Sequence, residues 1–383
     1  MKTSYKVQLA TLLIAVISAL LVGTIFLVIV KASPFKAYQA MLFGPFSSLY
    51  GLTETAAKAT PLLFVGLGIV IAFRSGILNI GAEGQMMIGA LLGTVVGLAF
   101  KDLPAIILLP LSLVAGFVGG AIYGTIPGAL KAFFKVNEIL STIMLNAIAQ
   151  QLMVFLLRGV LIDPTEVAYG TGFPQTQPLP EGIWLVRLIP QTRLHLGFIL
   201  AIVCAIAVYV LLWRTVLGYR LRAVGAGPQA ARYAGISVEG GLITAMCLSG
   251  GFAGLAGVVE VLGIHHRLMD GISAGYGFSG IVAALFGRLH PLGVIPASFL
   301  FGALMLGADM MQRAVAIPAS IVITIQGLMV LFVVGSDIFI RRPEKLERLK
   351  DTFGWIRKKP KEYQPAAEMS KVDDDVERDP QHD

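Results

Sequence analysis

The densest group of polar residues inside an apolar part of the chain runs from Arg74 to Gln85, with the sequence RSGILNIGAEGQ. Asn79 and Glu83 are spaced i, i+4, which on a helix would place both side chains on one face. In a bilayer such side chains are costly unless they face a cavity or one another. We therefore keep two interpretations: part of a permeation path, or a structural lock in which Glu83 pairs with a group such as Arg74.

Amide side chains on a later apolar stretch are further candidates. Asn146 and Gln150 are also four residues apart, so a shared face is expected, with hydrogen bonds to a solute or between helices. Glu260 and Asp309 fall near the ends of apolar stretches, where we expect them to be solvated. The candidate residues of a solute pathway are Asn79, Glu83, Gln85, Asn146 and Gln150.

The sequence lacks the motifs of several enzyme classes. No Gly is followed by Lys, so the phosphate-binding G-x-x-x-x-G-K-[ST] loop of an ATPase is missing, as are H-E-x-x-H, G-x-S-x-G and C-x-x-C. Cys204 and Cys247 lie in apolar stretches, and we expect them to be core residues. The pair His265 and His266 fits a solvated loop better than a metal site. We expect no catalytic residues, no metal and no cofactor bound by this chain.

The composition requires a membrane environment for these residues. Of the 383 residues, 56% are hydrophobic and only 14% are charged, against roughly a quarter charged in soluble domains. A membrane helix needs about 20 apolar residues, which predicts an all-α polytopic membrane protein with about ten transmembrane helices. We place them near residues 9–30, 52–73, 77–99, 104–126, 139–157, 196–213, 241–263, 272–287, 292–310 and 318–340. The second and the eighth are short in apolar residues and could be broken or re-entrant.

The distribution of Lys and Arg sets the predicted orientation and domains. With the N-terminus inside, 19 of these residues fall on the inner side and nine outside, which by the positive-inside rule predicts that both termini are cytoplasmic. Residues 1–340 form the predicted transmembrane domain. Residues 341–383 carry 22 charged side chains and are predicted to be a cytoplasmic charged tail, largely disordered.

A predicted cytoplasmic loop, residues 214–240, carries a second pattern. Pro228 suits the first turn of a helix, residues 229–233 favour a helix, and Gly235 can end it. A short basic helix flanked by glycines would offer a rigid projection to a partner. A basic loop lying on lipid is the simpler alternative, but it does not explain the compact 225–235 helix.

These two stretches resemble one family. RAVGAGPQAARYAGI, residues 222–236, is similar to the coupling segment of ABC importer permeases of the ribose and branched-chain amino-acid type. FRSGILNIGAEGQMMIGA, residues 73–90, is similar to the signature of the nucleoside (simple-sugar) branch. The resemblance covers about residues 50–340, and it implies that coupling to an ATPase rests on Arg222, Gly225, Ala226, Ala231, Arg232 and Gly235.

The resemblance also implies a function and partners. The chain would be a permease subunit in a bacterial plasma membrane, translocating a nucleoside, with purines favoured. A separate ABC ATPase subunit would hydrolyse ATP with Mg, and a second homologous permease and an extracellular solute-binding lipoprotein would complete the importer. Membrane lipid would surround it, and no nucleic acid would take part. A monosaccharide or another small polar solute is the alternative cargo.

Two other classes of protein remain as rivals. An ion-coupled secondary transporter could carry protons or sodium through Glu83 and a partner, and polar half-helices fit such a protein too. A membrane-embedded enzyme fits poorly, because no nucleophile with a base and no set of metal ligands emerges from the sequence.

Overall fold

The computed structural model describes residue 18 and residues 20–170, 172–318, 320–325, 327–328 and 331–332. Over these residues the chain forms helices, and the only β-type pairings in this part are two isolated bridges. The first helices are α1 (Leu20–Ile29), α2 (Pro34–Phe43), α3 (Leu49–Arg74), α4 (Ala82–Ala99), α5 (Ala105–Phe134), α6 (Glu138–Arg158) and α7 (Pro164–Ala168). Further helices are α8 (Gly197–Arg214), α9 (Val216–Ala226), α10 (Pro228–Tyr233), α11 (Val238–Glu260), α12 (Tyr276–Phe286) and α13 (Pro291–Val315).

Seven helices in the described residues are long and apolar enough to cross a membrane: α3, α4, α5, α6, α8, α11 with its C-terminal extension to His265, and α13. The predicted all-α, multi-pass architecture is therefore confirmed. The first and tenth predicted spans lie partly outside the described residues, and the 341–383 tail lies wholly outside them. The total of ten spans and the cytoplasmic position of both termini stay predictions.

The second and eighth predicted spans, which could be broken or re-entrant, differ in length. Helix α3 runs without a break through Pro61, and its 26 residues reach about 39 Å at 1.5 Å per residue. Helix α12 has 11 residues and reaches only about 16 Å, half of the roughly 30 Å hydrocarbon core. The eighth predicted span is therefore a half-helix, one of the two possibilities that its glycine-rich sequence allowed.

Helix α11 lies at the centre of the bundle and packs against α3, α4 and α5. Glycines make this possible: Gly89 of α4 and Gly120 of α5 both lie against Gly254 of α11, so close that a Cβ on any of them would overlap a neighbouring backbone. Small residues let helix backbones approach closely in membranes. Helix α6, in contrast, packs on one side only, against α4 and α5.

Candidate functional site

The polar stretch breaks the chain between α3 and α4 rather than continuing a helix. Helix α3 ends at Arg74, Gly76 takes a left-handed backbone with φ of 79°, and α4 begins only at Ala82. Asn79 therefore lies in a non-helical segment. The prediction that Asn79 and Glu83 share a helix face was wrong, because the helix they would share starts after Asn79.

Asn79 and Gln85 bind each other inside the bundle. The Asn79 Nδ2 donates to Gln85 Oε1 at 2.7 Å and to the Ser249 hydroxyl of α11 at 2.8 Å. In return, Asn79 Oδ1 accepts from Gln85 Nε2 at 3.1 Å and from the Gly81 N–H at 2.9 Å. Both side chains are buried. In this conformation their hydrogen-bonding groups hold the break in place.

Asn146 of α6 binds both sides of the junction between the non-helical segment and α4. Its Oδ1 accepts the Gly84 N–H at 2.8 Å, and its Nδ2 donates to the Ile80 carbonyl at 3.0 Å. Gly84 is required there, because a Cβ would lie 2.9 Å from Asn146 Oδ1 and 3.0 Å from its Cα. The amide thus satisfies one donor of the first turn of α4 and one acceptor of the non-helical segment.

The Glu83 carboxylate joins the starts of two helices. It belongs to the first turn of α4 and accepts the N–H groups of Gly275 at 3.0 Å and Gly277 at 2.7 Å, at the start of α12. Backbone N–H groups at helix N-termini are unpaired within the helix and favour a negative charge. Two helix N-termini therefore converge on one buried carboxylate, which explains how Glu83 is accommodated without a cation.

Arg74 is engaged elsewhere, so the suggested pairing of Glu83 with Arg74 was wrong. Its Nε donates to the Leu289 carbonyl at 2.9 Å, and its guanidinium lies 5.5 Å from the centre of the Trp213 ring. The guanidinium of Arg222 lies 5.7 Å from the same ring. Trp213 thus sits between two cations that join the end of α3 to α9.

Gln150 is not part of the hydrogen-bonded group formed by Asn79, Gln85 and Asn146. It is exposed on the outward side of α6, as is the adjacent Gln151, whereas Asn146 is half-buried. Apolar side chains surround the two amides on that surface, with Ile148 at 55% and Phe155 at 72% exposure. The predicted shared face of Asn146 and Gln150 is therefore split: the first amide points into the bundle and the second points out of it.

The 214–240 segment folds as two short helices, α9 and α10, of which the second was predicted. Pro228 occupies the first turn of α10, and Gly235, with φ of 76°, follows its end. These two positions confirm the predicted start and stop. Helix α9 was not predicted; its buried residues Gly218, Leu221 and Val224 are spaced three apart.

Gly225 joins this segment to the α3–α4 break. A Cβ on Gly225 would overlap the Arg74 carbonyl oxygen and lie 2.9 Å from the Gly76 nitrogen, and a Cβ on Gly76 would lie 3.0 Å from Gly225 Cα. Glycine at both positions lets the two backbones touch. The two stretches that stood out in the sequence are thus in direct contact, although about 150 residues separate them.

The other coupling candidates divide into packed and exposed residues. Ala231 is buried with Val224 and Val238, and it fixes α10 against α9 and α11. Arg232 is exposed and forms an ion pair with Glu239. Ala226 and Gly235 are also exposed. Tyr233, which the sequence did not single out, is 95% exposed at the end of α10.

Histidines at the end of the bundle away from this segment are packed rather than solvated. His195 is fully buried, which lowers its pKa to about 4, and its Nδ1 accepts the Gly197 N–H at 3.1 Å. His266 stacks on Trp184 with ring centres 3.9 Å apart, and burial lowers its pKa as well. Both rings are therefore neutral at neutral pH. The described residues contain no group of three or more His, Cys, Asp or Glu side chains arranged for a metal ion.

Glu260 and Asp309, the two carboxylates expected to be solvated, differ in their exposure. Glu260 is buried, with 5% exposure, and lies 3.6 Å from His265, so that expectation was wrong for Glu260. Asp309 is half-exposed and pairs with Lys58 at 3.0 Å. Ser249, which accepts a hydrogen bond from Asn79, was not among the predicted residues, since a serine in a glycine-rich helix carries no distinctive pattern.

Comparison with known proteins agrees with the two motifs. Residues 51–334 match the family described as the permease component of the branched-chain amino acid transport system. The guanosine ABC transporter permease protein NupP of Bacillus subtilis is 37% identical over 325 residues, 85% of this chain and 92% of that protein.

Two further relatives span most of the chain. The glucose ABC transporter permease protein TsgB13 of Haloferax volcanii is 36% identical over 342 residues, 86% of this chain and 88% of that protein. The nucleoside ABC transporter permease protein NupB of Lactococcus lactis is 31% identical over 332 residues, 84% of this chain and 89% of that protein. No solved structure matches the chain. The predicted family is confirmed: the chain belongs to the permease components of the branched-chain amino acid transport system family.

Proposed function

We propose that this chain is the permease subunit of an ATP-binding cassette importer and that it translocates a nucleoside, with purine nucleosides favoured, energised by a separate ATPase subunit. The contact of Gly225 with the Arg74–Gly76 backbone carries the proposal. It connects an exposed two-helix projection to the non-helical segment between α3 and α4.

The connection is stiff enough to transmit a displacement. Gly225 touches backbone rather than a flexible side chain, and the segment that it touches is held by Asn79, Gln85 and Asn146. Close-packed groups move together because there is little void to absorb a shift. A push on α9 and α10 by a nucleotide-binding partner would therefore move the 75–81 segment and the start of α4.

The solute pathway is proposed to follow the outward face of α6. Gln150 and Gln151 would lie against lipid on an isolated subunit, where uncompensated polar groups are unfavourable. Water or a second permease subunit on that face removes this cost. Amide groups suit a neutral solute with a hydrogen-bonding base and hydroxyls. In this arrangement Gln150 contacts the solute, and Asn79, Glu83, Gln85 and Asn146 hold the helices that line the path.

The solutes named for the related proteins guide the choice of solute. Two of those described above are named for guanosine and for nucleosides, and one is named for glucose. A purine nucleoside is our first candidate, and a monosaccharide is the second. Both are neutral and carry several hydroxyl groups, which fits a pathway without a fixed charge on its exposed amide face.

The partners follow from the same proposal. An ABC ATPase would bind α9 and α10 and hydrolyse ATP with Mg, so this chain would have no ATPase site and bind no cofactor. A second homologous permease would cover α6. An extracellular solute-binding lipoprotein would dock on the opposite side, in a bacterial plasma membrane with both termini of this chain in the cytoplasm.

Reconstitution tests the proposal directly. The complete importer in proteoliposomes should accumulate labelled guanosine only with ATP and Mg on the ATPase side and binding protein on the other side. Competition should follow the order guanosine and adenosine above glucose, with leucine ineffective. Preference for glucose would replace the nucleoside by the second candidate, and preference for leucine would overturn both.

A pair of substitutions tests the α6 pathway. Gln150→Leu should reduce guanosine uptake by about tenfold while leaving thermal stability unchanged, because its side chain is exposed and an exposed substitution changes stability by about 0.5 kcal/mol or less. Gln177→Leu, at an exposed position in the loop before α8, is the matched control. Equal uptake by both variants would remove α6 from the pathway.

The ion-coupled alternative needs a carboxylate that can exchange its ion. Both Glu83 oxygens accept backbone N–H groups, which argues for a fixed structural carboxylate. Uptake driven by a proton or sodium gradient without nucleotide would favour the alternative, whereas strict dependence on the ATPase excludes it.

A further inference from the structure

A group of aromatic and cationic side chains lies at the end of the bundle that carries α9 and α10. At its centre is Trp213, the second-to-last residue of α8. The guanidinium groups of Arg74, at the end of α3, and Arg222, on α9, lie 5.5 and 5.7 Å from the centre of its ring. The rings of His290, before α13, and Tyr209 complete the group at 5.0 and 5.5 Å. We name it the Trp213 cluster.

The guanidinium groups of this cluster have no carboxylate partner among the described residues. Ion pairs in that part of the chain take up four other cations: Lys58, Lys131, Arg193 and Arg232. Arg222 is half-buried, and its Nε is enclosed without an acceptor. Its two terminal nitrogens are not enclosed and bind no described acceptor, so they are available as donors at the surface. A half-buried cation without a counter-charge is unfavourable, which favours an anion at this place.

Arg74 is oriented by the loop before α13. Its Nε donates to the Leu289 carbonyl at 2.9 Å, and its Nη2 lies 3.5 Å from the Arg288 carbonyl. Its Nη1 has no acceptor among the described residues and is not enclosed. Two guanidinium groups beside one indole ring thus offer N–H donors at the surface, without a nearby carboxylate to accept them.

Helix α8 carries an apolar surface that leads to Trp213. Its side chains there are 44–55% exposed and follow one another at intervals of three or four residues: Ile199, Val203, Ile206 and Val210. This spacing places them on one helix face, which Trp213 continues. Helix α8 packs on α3, α9 and α13, whereas the second permease is proposed to cover α6. The exposed face of α8 is therefore placed to contact lipid chains, and Trp213 occupies a position typical of the membrane–water interface.

The order of these groups matches the parts of an anionic phospholipid. An apolar helix face is followed by an indole ring and then by guanidinium groups, as acyl chains are followed by glycerol and phosphate. Arginine side chains present pairs of N–H donors that fit phosphate oxygens, and basic pockets between membrane helices bind anionic headgroups. The two positive charges repel the amine of a zwitterionic headgroup, so a lipid with a net negative charge is favoured.

We propose that the Trp213 cluster binds the phosphate group of an anionic phospholipid, with Arg74 and Arg222 as donors and the acyl chains along the exposed face of α8. The site lies beside the contact that joins α9 to the α3–α4 connection, because the Arg74 carbonyl lies against Gly225, three residues after Arg222. A phosphate held by both arginines would brace that contact. The inference goes beyond the proposed function and does not depend on which solute is carried.

Lipid binding to the purified permease–ATPase complex in detergent tests the site. Phosphatidylglycerol and phosphatidylcholine with the same acyl chains are titrated separately, and native mass spectrometry measures the lipid that is retained. Wild type should bind phosphatidylglycerol about fivefold or more tightly than phosphatidylcholine, since one cation near an anionic lipid surface corresponds to about fivefold in affinity. Arg222→Gln should lose most of this preference. Arg220→Gln, the same change at an exposed position on the same helix, should keep it.

Arg222→Lys guards against misfolding of the glutamine variant. It keeps the charge but loses the paired donors, so it should show an intermediate preference. The inference is overturned if wild type binds the two lipids alike, or if Arg222→Gln and Arg220→Gln lose the preference equally. Inorganic phosphate that displaces phosphatidylglycerol at millimolar concentration would assign the cluster to a free anion instead. Weaker binding of the ATPase to Arg222→Gln with an unchanged lipid preference would assign it to a carboxylate of that partner.

Discussion

The two motif-bearing regions of this permease, residues 74–85 and residues 214–240, are built in opposite ways. In the first, Asn79, Glu83 and Gln85 are buried and hydrogen-bonded to protein groups. In the second, Arg232 and Tyr233 are exposed, and only Ala231 among the residues of α10 is buried. One region is fixed within the bundle, and α10 of the other region exposes most of its side chains.

The burial of Asn79, Glu83 and Gln85 shows that polar residues clustered in an apolar sequence can have a structural role. The density of polar residues between Arg74 and Gln85 suggested contact with a solute, yet Asn79, Glu83 and Gln85 form hydrogen bonds within the α3–α4 connection and with the start of α12. A break in the membrane leaves backbone groups that must be satisfied by protein or water. The patch therefore supplies those partners.

The largest effect is expected where the two regions touch. Gly225→Ala places a methyl group on the Arg74 carbonyl and the Gly76 nitrogen. Overpacking destabilises a fold by about 1–3 kcal/mol, and here the methyl group would push α9 away from the backbone of residues 74–76, so ATP-driven uptake should fall strongly. Solute-stimulated ATPase activity of the assembled importer should fall with it.

Gly227→Ala is the matched control, two residues away. Its nearest neighbour would be the Ala230 Cβ at 3.7 Å, an ordinary contact, and its backbone is extended. Uptake by this variant should stay within about twofold of wild type. Normal uptake by Gly225→Ala would show that the contact does not transmit motion.

The second-largest effect is expected on the stability of the buried region, residues 74–85. Glu83→Ala leaves the N–H groups of Gly275 and Gly277 without partners, and each unpaired buried group costs about 1–3 kcal/mol. We expect a loss of about 2–5 kcal/mol in unfolding free energy, measured by denaturation in lipid or detergent. Glu83→Gln, which keeps one acceptor oxygen, should lose about half of that.

Glu138→Ala provides the comparison for a carboxylate at the start of a helix. Glu138 opens α6 and pairs with Lys131 at 2.8 Å near the surface, so its loss should cost about 1 kcal/mol or less. A similar cost for the two alanine variants would contradict the assignment of Glu83 as a buried junction.

Much of the architecture was predictable because membrane helices have a strong compositional signal. Apolar stretches located the seven long helices, and Pro228 with Gly235 marked the start and stop of α10. These features depend on residues close together in the chain, where local rules apply.

The partners of the polar residues could not be predicted in the same way. Glu83 binds backbone N–H groups about 190 residues later, and Asn79 binds a serine about 170 residues later. A backbone donor has no signature in the sequence, and the i, i+4 spacing of Asn79 and Glu83 misled because Gly76 and Gly81 interrupt the helix.

A smaller effect tests whether Asn79 and Gln85 act as one unit. Each single change to Ala should destabilise the fold, and the double variant should cost less than the two singles added together. Hydrogen bonds between membrane helices contribute about 0.6 kcal/mol on average and at most about 1.7, so the doubly bonded pair should give a coupling energy of about 1 kcal/mol. Additive losses would mean that the two amides are independent.

The smallest change in stability is expected in the exposed region. Arg232→Ala removes the ion pair with Glu239, but Arg232 has 64% side-chain exposure, and exposed pairs contribute about 0–1 kcal/mol. Stability should therefore be nearly unchanged, while ATP-driven uptake should fall several-fold because the partner surface of α10 has lost its cation. Glu239→Gln breaks the same pair and keeps Arg232, so its uptake should be close to wild type. Equal losses in the two variants would show that the ion pair, rather than the arginine presented to the ATPase, is what matters.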